Sequence, residues 1–598
     1  MSTSKNDTDG ASPVEEPLFT FAIITDTHIR PPGGDDSSPF AVNDLANGRA
    51  RYAAAKIAAH KPDFTLHLGD MVHPLPHLPT YGPAAEEALK ILKPLGPDLH
   101  FVPGNHDVGD KPMPASPAGP VDDHSVALFE KYFGAGHAGF EQNGVQFIII
   151  NSSLVNSGSA HEDAQRIWLE EYLTAHAGER TFLFSHYPPM IDQPDEHSHY
   201  DNYDEPGRSW LLELVRQHKI EAVFSGHVHQ FFFNRVEDAH LYCLPPTSFT
   251  RQDYSELYDV EPADQFGRND EGKFSYALVD VFREGHKLSV YPTDGEGHAE
   301  SKSISLEEAP GEHTLTPLTL HLRHGWARAR DLPYNGPMEE FTRKRARNDY
   351  ALQRLWQMGI TRVRTPLSDL FDHEYGPRVH DFHAAGCTFT FFHSGVPDAD
   401  LWKRCNDNAH LIDAVEFVTF AADASDIADD LAAFDCGGGP PVYLGKSHSS
   451  ADEPKEGSKF AHSVSFGFKW EDRQKLLPAF KMQKTVRGVV FQVNLQDDLQ
   501  TRLAEIERFA EENELLAAAN IRLAHISPAI ANFDDAAIVE RVAEAVAIAP
   551  RLERTNLQLD TFADIDRGYH PRHGLLDRRF NFRTAGRFLM ERHMYGKP

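Results

Sequence analysis

Five short polar clusters stand out along the chain: Asp26-Thr27-His28, Gly69-Asp70, Gly104-Asn105-His106-Asp107, Ser185-His186 and Gly226-His227-Val228-His229. Each follows an apolar run. Asp-x-His and His-x-His set two donors on the same side of an extended chain, because side chains alternate with period two. Carboxylate oxygen and imidazole nitrogen together suit borderline ions such as Mn, Fe, Zn or Co. Seven such groups exceed what one ion needs and suffice for two if one carboxylate bridges them. Gly69, Gly104 and Gly226 permit tight turns and close backbone approach beside such a centre.

The elements that must position these clusters follow a strand–helix rhythm from Leu18 onward. "LFTFAIITDTH", "DFTLHLGD", "LHFVPGNHD", "VQFIIINSS", "RTFLFSHYPP" and "EAVFSGHVHQ" read as strands. "ANGRARYAAAKIAAH", "AAEEALKILKPL", "SVALFEKYF", "AQRIWLEEYLTAH" and "SWLLELVRQH" read as helices between them. "FFFNRVEDAHLYCLPPTSF" and "FSYALVDVFREGHKLSVYPT" read as a β-meander. In open α/β sheets the carboxyl ends of the strands converge on one crevice, so the five clusters are expected to meet.

In the order DTH, GD, GNHD, SH, GHVH, over roughly residues 18–295, the chain resembles the calcineurin-like metallophosphoesterase superfamily. The resemblance implies a two-sheet α/β sandwich with a dinuclear centre. It implies that Asp26, His28 and His229 hold a first metal ion, that Asn105, His186 and His227 hold a second, and that Asp70 bridges them. His106 matches the family's general acid and Asp107 its orienting partner. The implied reaction is attack on phosphorus by a metal-bridging hydroxide, with His106 protonating the leaving group.

Histidines 67, 73, 77 and 100 are given no role. "DEHSHYDNYDE", residues 195–205, reads either as a lip over the metals or, more simply, as a solvated acidic loop.

At 598 residues the chain has length for several domains, and 40% hydrophobic with 25% charged residues is the composition of a soluble globular protein. A net charge of −31 argues against nucleic acid and anionic membranes as partners. A phosphate ester would reach so acidic a protein only where metal ions reverse the local field. The four scattered cysteines form no CxxC, and the polar N-terminus shows no apolar leader, so a cytoplasmic, reducing setting is expected. Homo-oligomerisation is left open.

Residues 1–16 read as disordered, 17–297 as the metallophosphoesterase domain, and polar residues 298–314 as a linker. The alternation then restarts over 315–598. Eight candidate strands, "LTLHLRHG", "ITRVRTPL", "CTFTFFHSG", "VEFVTFAA", "PVYLGKSH", "GVVFQVNL", "AANIRLAHI" and "NLQLDTFAD", predict a (β/α)8 barrel. "SVSFGFKW" is read as part of a long excursion after the fifth strand. Polar groups near the strand ends include His324, Arg364, His393, Lys446, His448, Asn494, His525 and Asp560. The tail "GYHPRHGLLDRRFNFRTAGRFL" resembles the closing segment of some glycoside-hydrolase barrels. Those enzymes need two carboxylates flanking the scissile bond, and Glu416, Asp560 and Asp564 make no convincing pair. The barrel is therefore expected to shape the phosphoesterase pocket or mediate assembly.

The expected function is hydrolysis of a small phosphodiester. Phosphomonoester hydrolysis, a non-catalytic interaction role, and a bifunctional enzyme with separate barrel chemistry are the alternatives.

Overall fold

The computed structural model describes residues 16–113, 116–297, 314–323, 325–332, 343–420, 431, 434, 439–448, 466–482, 486–524, 534–559, 562–564 and 573–597. Its contacts divide the chain into two compact units. One is built mainly from residues up to 252 with 263–306, the other from 253–262, 307–334 and 343–598.

Among the described residues the first unit holds eleven strands: β1 (Phe19–Ile24), β2 (Phe64–His67), β3 (Leu99–Phe101), β4 (Ala138–Gln142), β5 (Val145–Ile149), β6 (Arg180–Phe184), β7 (Ala222–Ser225), β8 (Phe232–Val236), β9 (Ala239–Cys243), β10 (Ser275–Val281) and β11 (His286–Pro292). They form two sheets, ordered β11-β10-β1-β2-β3 and β4-β5-β6-β7-β9-β8. Parallel pairing joins β1, β2 and β3 in one sheet, and β5, β6, β7 and β9 in the other.

Period-two alternation makes each strand serve two layers. Phe147, Phe182, Phe184 and Phe224 face the opposite sheet, where Phe21 of β1 meets them edge-on at 5.4, 5.9, 6.0 and 6.1 Å between ring centroids. Their neighbours Ile148, Leu183 and Val223 face the other way. They pack with Leu169 and Leu173 of the helix Ala160–Ala175, and with Leu211, Leu212 and Val215 of the helix Gly207–Gln217. The two-sheet sandwich expected from the resemblance is thus held by a phenylalanine layer between the sheets.

The second unit is built on β12 (Leu318–His321), a hairpin of β13 (Ala329–Asp331) and β14 (Arg345–Arg347), and β15 (Arg362–Pro366), β16 (Thr388–Ser394), β17 (Ile412–Thr419), β18 (Val442–Lys446), β19 (Val486–Val493), β20 (Leu516–Ile521) and β21 (Thr555–Leu559). β12 and β15 to β21 close into an eight-stranded barrel, every pair parallel, with β12 hydrogen-bonded to both β15 and β21. Phe466 and Phe468, within "SVSFGFKW", make isolated bridges to Ser447 and Phe491 and add no barrel strand. Glu416 of β17 reaches across the lumen to Arg364 of β15 and to Gln558 of β21, at 2.6 Å each. Its face is therefore the interior one. Ala414, two residues earlier, lies in a buried cluster with Tyr443, Val490 and Ala518.

The strands "AGFEQ" (β4), β13 and β14 were not expected. β4 alternates half-buried and exposed positions and has no apolar run to mark it. His324, His525 and Asp560, together with residues 298–313 of the expected linker, lie outside the described residues. Among the described residues no helix is long and apolar enough to cross a membrane.

Candidate metal centre

All five clusters sit just past the carboxyl ends of parallel strands. Asp26 and His28 follow β1, Asp70 follows β2, and Asn105 and His106 follow β3, opening a helical turn Asn105–Val108. His186 follows β6, and His227 and His229 follow β7. The seven expected ligands are all buried, and His106 is half-buried.

They gather as two donor sets that share one carboxylate. In the first, His28 Nε2 lies 3.0 Å from His229 Nε2 and 3.4 Å from Asp70 Oδ2, and His229 Nε2 lies 3.2 Å from Asp26 Oδ1. Ligand atoms of these four residues all fall within 4.8 Å of one another. In the second, Asn105 Oδ1 lies 3.0 Å from both His186 Nε2 and His227 Nδ1, and Asp70 Oδ1 lies 3.3 Å from His186 Nε2. Asp70 turns one oxygen to each set.

The outer atoms fix how these rings are turned. His229 Nδ1 contacts the Phe249 carbonyl at 2.6 Å and His186 Nδ1 the Leu68 carbonyl at 2.8 Å. A ring nitrogen beside a carbonyl carries the proton, which leaves Nε2 of each ring as the free donor. Burial, with His106 next, pulls the His28 imidazole well below its usual pKa; burial, with His186 next, does the same to His227. Both rings are neutral, with lone pairs available. Burial alone would lower His186, but the Asp70 carboxylate outweighs it and raises that ring to about 9. Burial would raise Asp70, yet His186 and His106 hold it well below the usual carboxylate range.

Five of these residues also carry left-handed backbone. Asp26, His28, Asp70, His227 and His229 adopt left-handed φ values of 51°, 44°, 54°, 66° and 55°. Each such residue costs roughly 1–3 kcal/mol and persists only where its surroundings over-determine it. Buried neutral rings at His28 and His227, a carboxylate that offers one oxygen to each donor set, and left-handed backbone together fit a metal-binding site.

Two parts of the constellation differ from expectation. Asp107 does not orient His106: its carboxylate accepts backbone N–H groups of Asp70 (2.7 Å), Met71 (3.1 Å) and Gly104 (2.9 Å), binding the β2 loop to the β3 loop. The His106 ring is held instead through Nδ1 by the carbonyl of His73 at 2.5 Å. His73, left without a role by its sequence, forms a three-histidine group with His28 and His106. Its one sequence signal is its place three residues after Asp70 in the same loop. His67, also given no role, contacts Thr27 Oγ1 through Nε2 at 2.9 Å, and His100 stacks on Phe140 at 4.1 Å.

The segment 195–205 is solvated only in part: Asp195, His197, Ser198 and Glu205 are exposed, whereas Glu196, His199, Asp201, Asn202 and Tyr203 are buried. In the barrel, Arg364 is committed to Glu416, and Lys446 and His448 are buried.

Residues 19–231 match the family model for calcineurin-like phosphoesterases. The bovine (Bos taurus) serine/threonine-protein phosphatase CPPED1 is 30% identical over 179 residues, 28% of this chain and 54% of the bovine protein. The chain spans about half the length of the curated relatives it matches. Among solved structures, a dimetal phosphatase from Danio rerio overlaps 46% of this chain and 97% of its own at 14% identity and a TM-score of 0.33. A family 39 glycoside hydrolase from Bacteroides cellulosilyticus WH2 overlaps 54% of this chain and 70% of its own at 12% identity and a TM-score of 0.33.

Proposed function

We propose that the calcineurin-like phosphoesterase domain of the N-terminal half is a dimetal phosphatase acting on a phosphomonoester. The observation that carries the reading is Asp70, whose two carboxylate oxygens face two separate buried donor sets, 3.4 Å from His28 and 3.3 Å from His186. Asp26, His28 and His229 would hold one ion, Asn105, His186 and His227 the other, and Asp70 both. A bound pair of ions neutralises phosphoryl oxygens and lowers the pKa of a bound water. The chain's own residues do the rest. Carbonyls at 68 and 249 keep the His186 and His229 rings turned inward, and burial keeps the His28 and His227 rings neutral. His106, pinned through Nδ1–H to the His73 carbonyl, would as the imidazolium give its Nε2 proton to the departing alkoxide and be left as the neutral Nδ1–H ring.

The sequence led to a diester as the preferred substrate. No group in the site supports that preference, and the named relatives are protein phosphatases, so a monoester is the better reading. The proposal keeps residues 17–297 as the catalytic domain, 315–598 as a (β/α)8 barrel, and the cytoplasm as the setting.

A separate ligand site in the barrel has one observation in its favour. A cavity of about 710 Å³ opens beyond the carboxyl ends of β12, β15 and β21, among Arg323, Trp326, Pro366, Asp369, Phe562 and Asp564. Glu416 is already neutralised by Arg364, which speaks for binding there rather than two-carboxylate hydrolysis.

The test is a panel of p-nitrophenyl phosphate and bis-p-nitrophenyl phosphate, with Mn, Fe, Zn and Co each supplied to metal-free protein. The monoester is the expected substrate. Asp70→Ala should abolish turnover and lose metal, while His106→Ala should keep metal and turn over about 10²–10⁴-fold more slowly. Undiminished turnover in His106→Ala would remove the proton-donor role. Hydrolysis surviving in Asp70→Ala would assign chemistry to the barrel.

A further inference from the structure

The partly buried segment 195–205 touches two of the three non-bridging residues of the second donor set, Asn105 and His227, each through a different side chain. The Tyr200 hydroxyl accepts from Asn105 Nδ2 at 3.1 Å and donates to Asp110 Oδ1 at 3.2 Å. An amide that spends its NH2 on Tyr200 must turn Oδ1 the other way, toward His186 and His227. The orientation of Asn105 is thus chosen by Tyr200.

His227 differs from His186 and His229 in using Nδ1 rather than Nε2 toward its donor set. Its Nε2 is buried and without a hydrogen-bond partner. The carboxylate facing that nitrogen is Asp201, with Oδ1 at 3.6 Å. When Nδ1 serves as a ligand, Nε2 must carry the proton, and a carboxylate beside it favours that tautomer and holds the ring. The Tyr200 ring also packs on His227, at 5.0 Å between centroids.

The segment is itself anchored. Lys111 Nζ donates to the carbonyls of His199 (2.6 Å) and Asn202, and to Asp204 Oδ1 (3.1 Å). Arg251 pairs with Asp201. Glu196 accepts from the amides of Ile191 (2.9 Å) and Asp192 (2.7 Å) and from Asn202 Nδ2 (2.6 Å).

We infer that the turn 199–202 is the positioning device of the second metal ion alone, with Tyr200 setting the Asn105 amide and Asp201 setting the His227 ring. The inference rests on the dimetal reading. It makes the two ions unequal: each set has one ring fixed on a backbone carbonyl, but only the second also depends on a segment that Lys111 and Arg251 lock in place.

The experiment is Mn²⁺ titration of the full chain, followed by electron paramagnetic resonance and by bound-metal analysis. The wild type should bind two ions and show a spin-coupled pair. Tyr200→Phe and Asp201→Ala should each weaken the second ion by about 10–100-fold while the first keeps its affinity, leaving the signal of an isolated ion. Tyr200→Phe removes one oxygen and keeps the ring, so its fold is not at stake. Two ions bound with wild-type affinity in Tyr200→Phe, or equal weakening of both ions, would overturn the inference. A wild type that binds no ion would instead sink the dimetal reading itself.

Discussion

At the scale of single residues, the candidate metal centre is packed too closely for added atoms. Gly104 shows this most directly. Its φ of −100° and ψ of 169° are open to any residue, so conformational freedom is not the reason for glycine. Space is: a Cβ there would lie 2.2 Å from the Asp70 amide nitrogen and 2.4 Å from Asp70 Oδ1. Gly104→Ala must therefore push the shared carboxylate out of place while leaving the backbone of both loops attainable. The expected outcome is a folded protein with bound metal reduced at least tenfold and activity lost in step, read by circular dichroism and metal analysis. Full occupancy in that variant would mean Asp70 has slack that the packing denies. The seven candidate ligands could be named from sequence because metal chemistry restricts such groups to a few residue types at strand ends. His73, Tyr200 and Asp201 were not, because their roles depend on which neighbour their side chains meet after folding.

At the scale of elements, parallel strands explain why the donors share one end of the sandwich, and the opposite end shows how that arrangement is braced. Glu221, just before β7, accepts from Arg180 Nε (2.7 Å) and Nη2 (2.9 Å) at the start of β6, and contacts His286 Nδ1 (2.7 Å) at the start of β11. Arg180 also donates to the carbonyls of Phe282 (2.6 Å) and Gly285 (2.9 Å) in the β10–β11 turn. The brace thus ties one sheet to the other. Burial would raise Glu221, but the hydrogen bonds from His286 and Arg180 outweigh it and bring the carboxyl down to about 2 from 4.5. A carboxylate with a lowered folded pKa contributes stability that is whole above its unfolded pKa and is lost as pH falls toward the folded value. Glu221→Gln should therefore cost about 2 kcal/mol at pH 7, discounting the ideal figure for partial exposure. Denaturant melts of the two proteins should converge between pH 4.5 and 2. A difference independent of pH would show that the charge is not what braces the sheets. The main strands were legible from their apolar runs. β4 was hidden because an edge strand with one wet face needs no such run.

At the scale of the whole molecule, each unit has its own core: stacked phenylalanines between two sheets in one, a closed barrel around the Glu416–Arg364 pair in the other. Among the described residues, the histidine–carboxylate groups able to hold an ion all lie in the first unit. Ligand that binds only the folded form stabilises by RT ln(1 + [L]/Kd), about 2.7 kcal/mol per site at a hundredfold excess over Kd. Two ions should then add about 5 kcal/mol to the first unit and nothing to the barrel. Scanning calorimetry of the full chain is expected to resolve two transitions, of which only one rises when Mn²⁺ is supplied and falls when it is chelated. The Asp70→Ala protein should show both transitions and no response to metal. A single transition that moves as a whole would mean that the two cores unfold as one cooperative body, and that metal binding in the sandwich sets the stability of the barrel as well.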